Sequence, residues 1–427
     1  MTELAIVLPC LNEADNLCLL VPKINEVVSS MSISYRIFVI DGGSTDNTVS
    51  VAQSLGATVI SQRGAGYGGA IRTAFEDIET RWLLTMDADF SHHPVFIKYL
   101  FARRYEGEII IASRFTPQGY GEMAWSRKIL SGSLNRVFGF VLDLPVRDLS
   151  SGFRLYHRNA IRKLDLHYET YAVLQEVLIK SWCRGYRVVE EPFHYLPRRH
   201  GSSHARVFKF GKVYLQSLYT LWKYRNRLQS ADYDARAFYS RILPQRWWQR
   251  RRCQILRDFI GDRMSVLDVG CGSTQLLNNV PQAIGVDTNP AKLRFMRRPA
   301  RILINASVSA LPFPDESFDV ILASHLIEHL PQSEIPFREL ARCLKSDGTL
   351  VIATPDYGRR RWRFIKKIYN AIQPTPAGDI HPNPFTFSSL RDSLEQHQFS
   401  MQEYEYICGA ELIVSAAKIK SSDSHTP

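Results

Sequence analysis

The stretch Trp82-Leu83-Leu84-Thr85-Met86-Asp87-Ala88-Asp89 decides how the first half of the chain is read. Its apolar run has the length and composition of a buried strand, and it delivers two carboxylates to the carboxyl end, where open α/β sheets bind ligands. Magnesium and manganese take oxygen ligands, so a short acidic pair suffices when a nucleotide diphosphate supplies the rest. Acidic residues after a strand also cap helices. Taken alone, the pair leaves both readings open.

Four further stretches follow in the order expected of one active site. Residues 4–16 (LAIVLPCLNEADN) read as a strand, a proline turn and Asn12-Glu13 at a helix start, and residues 38–46 (FVIDGGSTD) place Asp41 at a second strand end. The run Arg63-Gly64-Ala65-Gly66-Tyr67-Gly68-Gly69 is glycine-rich. Phe90-Ser91-His92-His93-Pro94 and Ser150-Ser151-Gly152-Phe153-Arg154 complete the set. Over residues 2–228 these motifs together resemble family 2 glycosyltransferases, and among them the dolichol-phosphate mannosyltransferase subgroup that makes polyprenyl-phosphate sugars.

The resemblance implies that Pro9, Asn12, Glu13 and Asp41 bind the nucleotide, that Arg63 and Gly64 lie along the donor, and that Asp87 and Asp89 hold a metal. That metal neutralises the leaving nucleoside diphosphate. The family often has two acidic residues where this chain has Asp41-Gly42, which leaves guanine and uracil, hence GDP-mannose and UDP-glucose donors, both open. A polyprenyl phosphate acceptor is already an anion near neutral pH, because its second ionisation lies at about 6. Cations that place it then matter more than a general base. The resemblance assigns this to Arg114, Arg127, Ser131, Arg198 and Arg199, with inversion at the anomeric carbon. Residues 199–204 (RHGSSH) depart from relatives that carry a Ser-Lys pair, leaving a cation missing or supplied by protonated His204.

A length of 427 residues exceeds one typical core, and no repeats are evident, so two domains are expected. The seven cysteines are scattered, with no Cys-x-x-Cys pair, which argues against disulfides and structural zinc and fits a reducing cytosol. The amino terminus enters a strand without a basic and apolar leader, so no secretory signal is expected. No apolar run approaches the roughly 20 residues needed to span a bilayer.

The net charge of +11 is concentrated between Arg198 and Arg257. There Val207, Phe210, Tyr214, Ser217, Leu218, Leu221 and Trp222 fall on one helical face, with Lys212, Gln216 and Lys223 opposite. This predicts a peripheral contact with an anionic membrane, with Trp247-Trp248 as interfacial aromatics. A helix packed on its own domain with a solvated basic face is the other reading. No nucleic-acid reader motif accompanies the charge.

In the second half, residues 264–273 (MSVLDVGCGS) are a strand running into a glycine turn, and Ile284-Gly285-Val286-Asp287 ends another. Glycines let a backbone approach a ligand closely, and an acid at the next strand end accepts from ribose hydroxyls. With residues 310–323, Glu328-His329-Leu330 and residues 344–355, the order resembles class I S-adenosylmethionine-dependent methyltransferases. This implies an S-adenosyl-L-methionine site at Asp268, Gly270, Gly272, Asp287 and Ser307. Thr274 stands where a third glycine is usual, and Ser307 where many relatives have an aspartate, so a degenerate, regulatory domain is the alternative. His325, just after a strand, is the candidate base toward a sugar hydroxyl. The segment 381–386 (HPNPFT) reads either as part of the acceptor pocket or as the approach to a capped helix near Ser388.

The expected architecture is α/β. A nucleotide-diphospho-sugar transferase (GT-A, Rossmann-like) domain spans 1–228, a basic aromatic connector 229–252, a Rossmann-like class I methyltransferase domain 253–418 and a disordered tail 419–427. The expected setting is cytoplasmic, peripheral to the cytosolic face of a membrane, with a membrane-anchoring partner protein as a further candidate. A transferase acting on a glycan or protein is the alternative function.

Overall fold

The computed structural model describes all residues except 1, 123–124, 196–210, 332–335, 373–380 and 420–427; of 126–127, 211–213 and 369–372 only the backbone is described. The chain forms two compact units, Met1–Arg225 and Asn226–Pro427.

The first unit contains β1 (Leu4–Cys10), β2 (Tyr35–Asp41), β3 (Thr58–Ser61), β4 (Trp82–Thr85), β5 (Ile109–Ser113), β6 (Tyr120–Gly121), β7 (Arg154–His157), β8 (Val188–Pro192) and β9 (His194–Tyr195). Seven of these build a sheet in the order β3-β2-β1-β4-β7-β5-β8, while β6 and β9 pair with each other. Only β7 runs antiparallel to its neighbours in that sheet. Alternation along each strand feeds two cores. Leu4, Ile6 and Leu8 pack with Leu17, Leu20 and Ile24, and Ala5 and Val7 pack with Ala70, Ile71 and Ala74.

Strand order reverses between β1 and β4, and a crevice opens at such a switch point. Register decides what lies in it. Cys10 pairs with Asp41, and Val7 pairs with Thr85, so Asn12-Glu13, Asp41 and Asp87 emerge at one end of adjacent strands.

The helix Gly211–Arg225 corrects one expectation. Leu221 and Ser217 are fully buried, and Tyr214, Leu218 and Trp222 pack on the core of the first unit. The apolar face expected to meet a membrane is therefore covered by its own domain, because burying it there removes the same area from water. Val207 and Phe210 lie outside the described residues.

The second unit contains β10 (Val266–Val269), β11 (Ile284–Asp287), β12 (Leu303–Asn305), β13 (Phe318–Ser324), β14 (Leu344–Pro355), β15 (Phe399–Ile407) and β16 (Glu411–Lys418). Their order is β12-β11-β10-β13-β14-β16-β15, with β16 antiparallel to both neighbours. The switch point lies between β10 and β13.

The stretch 229–252, expected as a connector, holds the helix Tyr233–Phe238 and most of the helix Leu243–Ile260. Cys253, Leu256 and Ile260 recur at helical spacing and pack with Val266, Val320 and Leu322 of the sheet. Both helices thus belong to the second unit, and they start its fold before the first strand. The helix Phe387–Gln396 opens with a capping box of Thr386 and Ser389, as the capped-helix reading of that segment expects. All seven cysteines are free. Among the described residues no helix is long and apolar enough to cross a membrane.

Candidate active sites

In the first unit, the loops after β1 and β2 are stitched together by side chains. Asn12, at a φ of 58°, accepts from Thr45 N at 2.8 Å through Oδ1, and its own N–H donates to Ser44 Oγ at 2.9 Å. Glu13 N donates to Thr48 Oγ1 at 2.8 Å. The Asp41 carboxylate accepts from Gly43 N at 3.1 Å and Ser44 N at 3.2 Å, which fixes it at the strand end.

After β4, Asp87 N donates to His92 Nδ1 at 2.9 Å. This leaves the imidazole proton on Nε2, 3.8 Å from Asp87 Oδ2. The ring stacks on Phe153 at 4.9 Å, so packing holds the histidine and the histidine orients the aspartate. Asp89 is buried, and its Oδ1 accepts from Ser91 N at 3.0 Å and Ser91 Oγ at 2.5 Å. Phe90, directly after Asp89, has a φ of 62°, a left-handed turn that ends the extended run just beyond the acidic pair. Among the described residues no cluster of three or more metal-ligating side chains occurs. Two carboxylates still fit magnesium or manganese, provided phosphate oxygens and water complete the sphere.

The glycine-rich run has a structural cause. A methyl group on Gly68 would lie 1.9 Å from Tyr168 O, and one on Gly66, at a φ of 61°, 2.5 Å from Glu169 O. Gly68→Ala is therefore expected to destabilise the first unit by more than about 2 kcal/mol, because backbone rather than a flexible side chain must move. Thermal unfolding checks it; an unchanged midpoint would show that the loop 168–169 yields freely.

Arg63, expected along the donor, instead pairs with Asp77 at 2.6 Å and Glu76 at 2.7 Å on an exposed surface. Gly64 has a φ of 79°, and a methyl there would meet Arg72 at 2.8 Å. Arg114 directs Nε and Nη2 to Asp148, each at 2.8 Å, and Nη2 also to Ser150 Oγ at 2.8 Å. Its Nε and Nη2 hold the loop 148–150. Pro9 lies within β1, and Ser131 lies half-buried on the helix Trp125–Leu142. The side chain of Arg127, together with Arg198, Arg199 and His204, lies outside the described residues.

In the second unit, a cavity of about 920 Å³ opens at the carboxyl ends of β10, β11 and β13. Gly270 and Gly272 line it with φ of 69° and 53°, and a methyl on either would come within 2.9 Å of Leu326 or 2.5 Å of Asp234. Asp287 Oδ2 accepts from Gly272 N at 2.8 Å, and Oδ1 from Asn289 N at 2.7 Å. Asp234 accepts from Ser273 N at 2.9 Å and pairs with Lys292 at 3.0 Å, which ties the helix Tyr233–Phe238 to the glycine turn. Asp268 is buried, and its Oδ2 has no hydrogen-bond partner. Burial first, then Asp287 and Asp234, raises its carboxyl to about 8. Thr274 and the exposed Ser307 also line the cavity.

His325, at a φ of 53°, places Nδ1 3.0 Å from Glu328 and Nε2 3.0 Å from Glu411. Burial and Arg252 push its pKa down, Glu411 and Glu328 push it up further, and it settles at about 9. At neutral pH the ring holds both protons, and an imidazolium cannot accept a third. The base role expected of His325 does not fit this arrangement. His381, His329, Lys366 and Trp362 line the same cavity, and Tyr357 is hydrogen-bonded to His381.

The profile of the family described as "Glycosyl transferase family 2" matches residues 5–165, and that of a "Methyltransferase domain" matches residues 267–352. Glycosyltransferase AglJ of Haloferax volcanii is 30% identical over 225 residues, covering 50% of this chain and 74% of its own. The chain belongs to glycosyl transferase family 2. It is an enzyme, a nucleotide-sugar glycosyltransferase that carries a methyltransferase domain. Among solved structures, glucosyl-3-phosphoglycerate synthase from Mycobacterium tuberculosis, in complex with Mn2+, UDP and phosphoglyceric acid, is 19% identical, with a TM-score of 0.41 over 52% of this chain and 78% of that one. The same enzyme with Mg2+ and UDP gives 19% identity and a TM-score of 0.40 over 52% and 79%.

In this family 2 glycosyltransferase, the structure gathers Asn12, Glu13, Asp41, Asp87 and Asp89 at one crevice and Asp268, Gly270, Gly272, Asp287 and His325 at another. The sequence reading missed His92 as the residue that orients Asp87, and it missed Tyr67. The Tyr67 hydroxyl is buried without a partner, and burial together with nearby Asp87 pushes its phenol well up. It missed Arg252 and Glu411 as well, since no local pattern marks either.

Proposed function

We propose that the first unit transfers a mannose- or glucose-type sugar from a nucleotide-sugar to a polyprenyl phosphate at a membrane surface, with inversion and with magnesium or manganese. The observation that carries this reading is the convergence of Asp41, Asp87 and Asp89 on the switch point of the first sheet. Asp87 and Asp89 would hold the cation. Their charge keeps it where the diphosphate leaves, the chief electrostatic demand as the glycosidic bond breaks. The test is transfer of radiolabelled sugar from GDP-mannose and UDP-glucose to undecaprenyl and dolichyl phosphate, with and without metal. A metal-dependent, chloroform-soluble product supports the reading and names the donor. Label that appears only in glycan or protein favours the second reading, a non-lipid acceptor. One observation favours that second reading already, namely that the Arg114 fork is held by Asp148.

The second unit, in the same proposal, methylates a sugar or small acceptor with S-adenosyl-L-methionine, which supplies a methyl group on a sulfonium. Its residues suit that cation. Asp268 offers a buried carboxyl oxygen with no partner, the glycine cradle leaves space that a side chain would fill, and each Asp287 oxygen retains a lone pair for a ribose hydroxyl. A cation bound beside Asp268 stabilises its ionised form. Between about pH 5 and 8, binding should therefore release close to one proton, read by calorimetry in buffers of different ionisation enthalpy. No proton release, or none lost in Asp268→Asn, would place the cationic end elsewhere.

A further inference from the structure

The mouth of the second unit's cavity is fringed by apolar and basic residues that a nucleoside-sized cofactor does not call for. Two segments form the fringe. Ile242 and Trp247 come from the start of the helix Leu243–Ile260, and Ile365 and Ile368 from the helix Arg360–Ile372. Trp247 and Ile368 line the cavity yet are 53% and 44% exposed, and Phe364, one turn before Ile368 on the same helix, is 65% exposed. Residues 359–368 hold six cations, Arg359, Arg360, Arg361, Arg363, Lys366 and Lys367, and no acid. Arg359 faces Asp356 at 3.5 Å, whereas Arg360, Arg361, Arg363 and Lys367 are exposed. Inside the rim, Trp362 Nε1 is buried without an acceptor.

We propose that this fringe docks the second unit on an anionic bilayer, so that its methyl acceptor is an amphiphile whose hydroxyl-bearing head enters the cavity from the membrane surface. The inference rests on the reading of this unit as methyl-transferring. A helix with cations on one face and aromatic and aliphatic side chains on the other lies in the interface plane, its apolar side among the acyl chains and its cations on anionic headgroups. Exposed Phe364, Ile242 and Ile368 favour lipid over a polynucleotide, whose phosphates would engage the cations and leave the aliphatic groups in water. The cavity, about 920 Å³, lies toward the upper end of ligand pockets, which run roughly 300–1,000 Å³, and so has room for a head group beside a cofactor. Trp362 Nε1 supplies a donor for such a head.

The test uses the full chain with vesicles of phosphatidylcholine alone or mixed with phosphatidylglycerol. Wild type is expected to bind the anionic vesicles, and the double variant Phe364→Glu/Arg363→Glu to bind at least about tenfold more weakly while still binding S-adenosylmethionine. Brominated acyl chains should quench Trp247, read as the difference between wild type and Trp247→Phe, which keeps the test valid if the double variant does not fold. No vesicle binding, undiminished binding by the double variant, or quenching carried by Trp125 of the first unit without Trp247 would each overturn the proposal. S-adenosylmethionine binding, measured on the same samples without vesicles, distinguishes a failed docking surface from a unit that does not bind the methyl donor at all.

Discussion

Asp89→Ala is expected to lower sugar transfer by at least about a thousandfold, equivalent to about 4 kcal/mol of transition-state stabilisation. The carboxylate has two tasks, and they can be separated. One is structural: Oδ1 accepts from Ser91 N and Ser91 Oγ and so closes the turn that follows β4. The other is electrostatic, since with Asp87 it is half of the carboxylate pair proposed to hold the divalent cation. Asp89→Asn keeps an acceptor for Ser91 and removes the charge. It should retain the thermal midpoint of wild type, lose activity as fully as alanine, and show the loss in kcat rather than in KM for the acceptor. If Asp89→Asn remained active and equally dependent on manganese, Asp89 would be a turn residue only and the cation would have to rest on Asp87 with water and phosphate.

The elements that positioned this site were legible because each rests on a local rule. The run 82–86 reads as a buried strand from its composition, and the acids after β1, β2 and β4 read as strand ends. The glycines at 270 and 272 announce positive φ. What the chain order did not reveal was the partner of each charge. Arg114 looks like a phosphate ligand until Asp148, 34 residues on, is found beneath it, and sequence spacing carries no trace of that contact. His325 looks like a base for the same reason, its second carboxylate coming from β16, 86 residues away. The segment 229–252 was misread through its charge. Its arginines dominate the composition, while the apolar positions that bind it to the second sheet are sparse within it, Phe238 and Trp248, and become regular only at Cys253, Leu256 and Ile260. The helix ending at Arg225 shows the complementary error: an amphipathic stripe specifies that a face will be buried, not by what.

Glu411 is where removal of one side chain should harm the second unit most. Its carboxylate is almost wholly buried and accepts from Trp248 Nε1, from Arg252 Nε and, at 2.7 Å, from Arg252 Nη2, and it faces His325 Nε2 at 3.0 Å. Leucine in its place would leave two cations buried with Glu328 as their remaining carboxylate partner. Breaking a buried pair from one side costs about 3–5 kcal/mol, so Glu411→Leu should unfold far earlier in denaturant, if it folds at all. Glu411→Gln gives the milder and more informative result, because it keeps the shape. The pKa of His325 is raised from 6.5 to about 9 in the folded chain, so the stability it contributes is fully present below about pH 6.5 and is lost as pH rises through 9. Without the Glu411 charge the folded pKa falls toward the ordinary value, and the loss of stability between pH 6.5 and 9 should flatten. Asp268 provides the control. Its carboxyl, raised from 3.8 to about 8, also favours the folded state below its unfolded pKa and loses that contribution as pH rises toward 8, but it makes no bond to Glu411. Denaturant titrations of the second unit's transition should therefore show the slope above pH 8 diminished in Glu411→Gln and the slope between about pH 5.5 and 6.5, above the range where Glu411 itself titrates in the unfolded chain, retained. An unchanged slope above pH 8, with the His325 ring resonances still titrating near 9, would mean that Glu328 alone holds the proton and that Glu411 serves Arg252 and Trp248 of the helix Leu243–Ile260.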